Sequence, residues 1–169
     1  AVQIAELARG PWASRVEVIV HHHLPIFHTE HCVFARFLSD GDDKKTCGLP
    51  CETHSLHLQG RDGERHRVEA DMGCRNTVFN ATAQSGLRDV ERFLSAGVRR
   101  FRIELVDHRP DEVGPLVALY RRALAGEVAG RDAFRQLRKE SRFGAGLGSL
   151  AVLDAPKPED MKRPGWMAR

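Results

Sequence analysis

Short apolar runs alternate with helical apolar patterns along most of this chain. The β-branched run Val16–Val20 has the length of a buried strand, and further strands are predicted at His66–Asp71 and Phe101–Val106. Apolar residues at helical spacing, each series followed by a glycine, predict four helices: Val2–Arg9, Leu87–Leu94, Glu112–Ala125 and Arg131–Arg142. A further helix is predicted over Asn76–Gln84. Strands that alternate with helices favour parallel βα units.

Three predicted strands are too few to close a barrel, which needs about eight. The element order therefore predicts an α/β fold, either a small open sheet or the C-terminal part of a larger TIM-like (βα) barrel, and we favour the incomplete barrel. Residues 1–153 would form this domain and residues 154–169 a loose C-terminal tail. Because the chain opens directly into a predicted helix without a methionine, we expect it to be a piece of a longer protein.

The stretch His21–Arg65 shows no clean periodicity. It contains three of the four cysteines and seven of the nine histidines. A long irregular segment inside a compact domain is usually functional, and a bound metal or cluster would supply the order that such a segment lacks. The sequence thus predicts a long Cys- and His-rich insertion, whose cysteine cluster region spans residues 21–76.

The cysteines follow the pattern Cys32-x14-Cys47-x3-Cys51-x22-Cys74. Gly48 and Pro50 predict a turn that directs the sulfurs of Cys47 and Cys51 towards one ion or cluster. Thiolates are soft ligands, and four of them complete either a zinc site or an iron–sulfur site. The spacing alone does not choose between zinc and iron–sulfur.

Polar side chains close to these cysteines are candidates for a substrate pocket or for catalysis, namely His28, His31, Asp71, Arg75 and Asn76. The alternative for the last three is a surface ion pair and a capping asparagine. The adjacent histidines His21–His23 cannot all face one ion from a strand, because neighbouring side chains point to opposite faces. Neither the H-E-x-x-H motif of zinc peptidases nor the G-x-S-x-G motif of serine hydrolases is found.

Composition narrows the class of protein. The 169 residues are 41% hydrophobic and 29% charged, which is typical of a globular chain, and no apolar run is long enough to predict a membrane-spanning helix. The net charge of +3 is too small to indicate RNA binding by itself. Without a visible export signal, the thiols favour a cytoplasmic location. Six arginines either contact RNA or form solvated helix faces: Arg99, Arg100, Arg121, Arg122, Arg135 and Arg138.

Several segments resemble the collagenase-like peptidases, peptidase family U32. The family signature runs from a Glu at the start of a strand to a Cys fifteen residues later, as Glu17 and Cys32 do here. Its second usual cysteine is replaced by Pro25. Further similarity lies in Cys47-x3-Cys51, in the segment Asp71–Asn80 and in the segment Gly97–Glu104, and the chain looks closest to long members with an extra inserted domain.

This resemblance implies a TIM-like barrel whose earlier strands lie elsewhere in the same protein. It also implies a [4Fe–4S] cluster on the four cysteines. Members of the family hydroxylate nucleobases in tRNA or rRNA, or the ubiquinone ring, in some cases with prephenate as a small-molecule co-substrate. We therefore expect an iron–sulfur protein of RNA hydroxylation. The alternatives are a collagenase-like peptidase and a zinc-stapled module without catalysis.

Overall fold

Six strands form one mixed sheet in the computed structural model, which describes residues 2–154. They are β1 (Glu17–Thr29), β2 (Leu56–Gln59), β3 (Arg65–Ala70), β4 (Asn76–Ser85), β5 (Arg100–Ile103) and β6 (Ala145–Gly146). The strand order is β2-β3-β4-β1-β5, and β6 pairs with β4. The pairs β1–β5 and β4–β6 are parallel, whereas β1–β4, β2–β3 and β3–β4 are antiparallel. A mixed α/β fold is thus confirmed, but the expected parallel pairing holds for only part of the sheet.

Five α-helices accompany the sheet in the described part of the chain. They are α1 (Val2–Arg9), α2 (Val33–Leu38), α3 (Val90–Ser95), α4 (Pro110–Leu124) and α5 (Gly130–Glu140). The four helices predicted from apolar spacing correspond to α1, α3, α4 and α5, with α3 preceded by the 3-10 turn Leu87–Asp89. Among residues 2–154, none of the helices combines the length and the apolar composition needed to cross a bilayer.

The helix predicted over Asn76–Gln84 is wrong, because this segment forms the central strand β4. Its Thr, Val and Phe residues favour extended backbone. On one side β4 pairs with β1, and on the other side it pairs with β3 and β6. Pairing along both edges therefore decides the conformation of a segment whose own pattern is ambiguous.

The stretch His21–Arg65 is more ordered than its sequence indicates. Strand β1 does not stop at Val20 but continues to Thr29, paired with β4 and with register shifts on either side of Pro25. Ladder hydrogen bonds use only backbone groups, so a run of histidines can continue a strand. Helix α2 and strand β2 add further order, and the cysteine-bearing loop that remains irregular is confined to residues 39–55.

Within the described residues, two separate apolar cores hold these elements. The larger one packs α3, α4 and α5 against β1 through residues such as Val20, Leu87 and Tyr120. The smaller one consists of Phe34, Val68 and Val78, against which Cys32, Val33, Cys51, Leu56 and Ala70 pack. The cysteine region is therefore built on its own small core. The tail predicted for residues 154–169 lies, beyond Asp154, outside the described residues.

Candidate metal centre

All four cysteines line one cavity of about 230 Å³. Cys32 immediately precedes α2, Cys47 and Cys51 lie in the following loop, and Cys74 lies in the turn between β3 and β4. Each thiol is free and half-buried. The rest of the wall is formed by Lys44, Leu49, Pro50, Glu52, Ala70, Asp71 and Met72. Three separate segments of the chain thus bring the four cysteines to the wall of one cavity.

A tight reversal of the chain brings Cys47 and Cys51 to the same wall. Gly48 and Leu49 both adopt left-handed backbone, with φ of 68° and 54°. A left-handed leucine is uncommon, since its Cβ crowds the backbone, whereas glycine adopts this region freely. Cys51 then lies in the 3-10 turn Pro50–Glu52. The turn expected from the sequence is present, and it places both cysteines on the cavity wall.

Asp43 fixes the loop that leads into Cys47. Its carboxylate accepts hydrogen bonds from the backbone N–H of Lys45 at 2.8 Å and of Thr46 at 3.0 Å. Its backbone carbonyl accepts the N–H of Cys47 at 2.8 Å. The hydroxyl of Thr46, which donates to the same carboxylate at 3.0 Å, and then the two backbone N–H groups of Lys45 and Thr46 hold the pKa of the Asp43 carboxyl below its ordinary value. An acceptor-only carboxylate at this position therefore orders a loop that has no regular structure.

Asp71 and Arg75 close the turn that carries Cys74. Cys74 itself has left-handed backbone with φ of 62°, and its N–H donates to the carbonyl of Asp71 at 3.0 Å. The Asp71 carboxylate accepts from the backbone of Gly73 at 2.8 Å and from Arg75 Nε at 2.9 Å. Lost solvation opposes ionisation of Asp71, but hydrogen bonds from Arg75 and Gly73 hold its pKa below the ordinary value. Asp71 thus lines the cavity, but its negative charge is paired with Arg75.

The thiols influence one another inside this cavity. Burial raises the pKa of the Cys51 thiol, and the neighbouring Cys32 and Cys47 raise it further. Lys44 brings a positive charge to the wall and donates from Nζ to the carbonyl of Met72 at 3.2 Å. Across residues 2–154, no three Cys, His, Asp or Glu side chains already form a site for a single ion. The donor set nevertheless fits a thiolate-bound metal or cluster, because four soft ligands share one cavity.

The other predicted site residues differ in their placement. His28 is exposed on β1, and its Nδ1 lies 3.0 Å from Thr77 Oγ1. His31 is exposed and lines a neighbouring cavity of about 450 Å³ that also includes Cys32. Arg75 is exposed and paired with Asp71. Asn76 is fully buried and is not among the residues lining the cysteine cavity.

A second polar cluster, which the sequence does not predict, is buried between the sheet and the helices. The Tyr120 hydroxyl donates to the carbonyl of Val20 at 2.8 Å, so its oxygen accepts from Ser85 Oγ at 2.7 Å and from His21 Nδ1 at 3.2 Å. His21 Nε2 is then left to accept from His108 Nε2 at 3.3 Å. Burial, with the nearby His108 and His23, lowers the pKa of His21 to about 3. His21 is therefore neutral at physiological pH.

Two imidazole nitrogens of this cluster are buried without a partner in the described part of the chain. His23 Nδ1 donates to the carbonyl of Asn80 at 2.7 Å, which leaves His23 Nε2 as a bare acceptor, and His108 Nδ1 is the other. Phe143 packs on both rings and also lines a cavity of about 350 Å³ with His57, Asp107 and Arg142. His108 lies in the loop before α4, where no motif marks it in the sequence.

Fold and cavity together define a mixed α/β protein with a cavity lined by four cysteines. The sequence model of peptidase family U32 matches residues 2–145, and the chain belongs to that family. Comparison with curated proteins and with solved structures gave no match. The resemblance seen in the sequence is therefore confirmed at the level of the family.

Proposed function

We propose that this chain is an iron–sulfur protein whose cluster is a [4Fe–4S] centre held by Cys32, Cys47, Cys51 and Cys74. The observation that carries the proposal is the convergence of these four thiols on one cavity. Thiolates are the usual ligands of such clusters, and a cluster bound in this way supplies one-electron chemistry. The family resemblance favours iron–sulfur, whereas the donor set alone also suits zinc.

A positive group on the cavity wall bears on the charge of a cluster bound there. Four bound thiolates carry negative charge, and Lys44 on the wall offsets part of it. Glu52 and Asp71 lie on the same wall, but the carboxylate of Asp71 is already paired with Arg75. The charge and hydrogen bonding around a cluster set its reduction potential. Lys44 would thus raise the potential of a cluster held here.

We propose further that the cluster supports hydroxylation of a nucleobase in tRNA or rRNA. This reaction replaces a ring C–H by C–OH and requires an oxygen donor, for which the family resemblance suggests prephenate. The six arginines considered for RNA contact are all exposed, although Arg135 is paired with Asp132 at 2.7 Å and Arg122 with Glu127 at 3.9 Å. The guanidinium of Arg99 also donates to two backbone carbonyls. Exposed arginines that remain available suit contacts with phosphates.

The sheet would form part of a TIM-like barrel completed by strands outside residues 2–154. The parallel pair β1–β5 supports this, since parallel neighbours are the repeating unit of such a barrel. Free thiols also suit a cytoplasmic location, where they remain reduced.

Metal analysis tests the cluster directly. We expect chain purified without oxygen to absorb broadly in the visible range and to carry about four irons and four sulfides. Cys47→Ser and Cys51→Ser should lose both, whereas Lys45→Ser, an exchange in the same loop that leaves every thiol intact, should keep them. Stoichiometric zinc without colour would contradict the iron–sulfur cluster and support a structural zinc site instead.

Nucleoside analysis tests the reaction. Expression of the whole protein that contains this chain, in a host without its own U32 proteins, should produce a nucleoside heavier by one oxygen atom in digests of tRNA or rRNA. The Cys47→Ser chain should not produce it. Cleavage of gelatin that persists after iron is removed would instead support the peptidase alternative.

A further inference from the structure

Asn76 occupies an unusual position beside the cysteine cavity. Its side chain is fully buried at the start of β4. The amide Nδ2 lies 3.8 Å from the sulfur of Cys32, to which it donates, and the amide oxygen accepts the backbone N–H of Val33. Both ends of one amide therefore serve two consecutive residues at the start of α2.

We propose that Asn76 is a positioning residue for Cys32: its amide N–H holds the sulfur towards the cavity and stabilises negative charge on it. Within residues 2–154, this is the only side-chain hydrogen bond to a cysteine sulfur. The consequence for a metal centre rests on the proposed function, in which Cys32 is a ligand. The contact itself does not depend on it.

The strands around Asn76 make it a fixed donor. Its backbone is paired with Thr29 of β1 on one side and with Ala70 of β3 on the other. Cys32, by contrast, precedes a short helix and a long loop. Asn76, fixed in the sheet, is therefore the rigid partner in this contact, and it determines the position of the Cys32 sulfur.

The amide also has an electronic effect on a ligating sulfur. A hydrogen bond to such a sulfur removes electron density from it and favours the reduced, more negative state of a cluster. An aspartate here would keep the oxygen that accepts from Val33 but would lose the N–H. Asparagine is thus the residue that serves both partners.

Alkylation of the metal-free, reduced chain tests the contact without any need for a cluster. The variants are Asn76→Asp, which keeps the acceptor oxygen, and Asn76→Leu, which lacks both the N–H and any charge. The amide N–H stabilises the anionic sulfur that attacks iodoacetamide, because a hydrogen bond to a charged group is stronger than one between neutral groups. We therefore expect iodoacetamide to alkylate Cys32 about threefold more slowly in Asn76→Leu, and at least as slowly in Asn76→Asp, whose carboxylate also repels an anionic sulfur.

The other three cysteines separate this effect from loosening of the fold. Loosening would expose thiols and speed their alkylation, whereas loss of the hydrogen bond slows Cys32 alone. Asn80→Asp, the same exchange further along β4, should leave all four rates unchanged. A Cys32 rate that is unchanged or faster in the Asn76 variants overturns the proposal.

The iron-loaded chain provides a second readout. Its reduction potential should fall in Asn76→Leu, and a potential equal to that of the unsubstituted chain would also overturn the proposal. If the unsubstituted chain takes up no iron, the proposed function fails while the alkylation rates still decide the role of Asn76.

Discussion

Acidification should destabilise this protein through the buried imidazole of His21. Its pKa is about 3 in the folded protein, lowered first by burial and then by His108 and His23, against 6.5 for an ordinary histidine. Below pH 6.5 the unfolded chain therefore binds a proton that the folded chain does not bind. Stability is then fully present above the unfolded pKa and falls by about 1.4 kcal/mol per pH unit as the pH decreases towards the folded value.

Between pH 8 and pH 5 this effect amounts to about 2 kcal/mol from His21 alone. The pKa values of His23 and His108 are also lowered, primarily by burial, so they act in the same direction. A loss of this size is a large fraction of the stability of an ordinary domain. The window stops at pH 5 because protonation of carboxylates becomes important at lower pH.

Urea unfolding at the two pH values measures the effect, with His21→Asn as the test variant. The asparagine amide can still donate to Tyr120 but does not titrate, so the difference between pH 8 and pH 5 should shrink by about 2 kcal/mol. His54→Asn replaces an exposed histidine and should leave the difference unchanged. Equal losses in His21→Asn and in the unsubstituted chain would refute the assignment of the acid sensitivity to His21.

Three further substitutions probe other parts of the structure. Gly130→Ala would press a methyl group against a backbone carbonyl and should lower the unfolding temperature, whereas Gly114→Ala, in open space within α4, should stabilise the chain by about 1 kcal/mol. If both shift the temperature alike, the close approach at Gly130 is not real. Tyr120→Phe removes the hydroxyl shared by three buried partners and should cost about 2–3 kcal/mol in urea unfolding; a cost near zero would contradict the network. Asp71→Ala should lower the urea midpoint, because the turn that carries Cys74 loses its acceptor, and an unchanged midpoint would count against that role.

Helices α4 and α5 could be predicted because their apolar residues recur at helical spacing and a glycine follows each. Strand β4 could not, because its pairing partners are distant in sequence and its own pattern fits either conformation. The same limit applies to β1. Its three histidines do not follow a strand pattern, and the strand continues to Thr29 only because its backbone pairs with β4.

The candidate site divides in the same way. The spacing of Cys47 and Cys51 implies proximity, because only a short turn separates them. The contact of Asn76 with Cys32 spans 44 positions, and that of His21 with His108 spans 87, so each exists only through the packing of whole elements. The fold, and no local pattern, creates these contacts.

The division into two cores has a consequence for how easily the cysteines become accessible to solvent and to metal ions. The buried residues of the smaller core are Phe34, Val68 and Val78, so the cysteine region, which is α2, the loop 39–55 and the turn between β3 and β4, has far less apolar burial than the helical part. Segments with few buried apolar contacts open locally at a lower free energy than the whole domain. The cysteine region would thus open and close as a unit while α4 and α5 remain folded. A metal at the proposed site would then enter, and leave after oxidation, through local opening of this region without global unfolding.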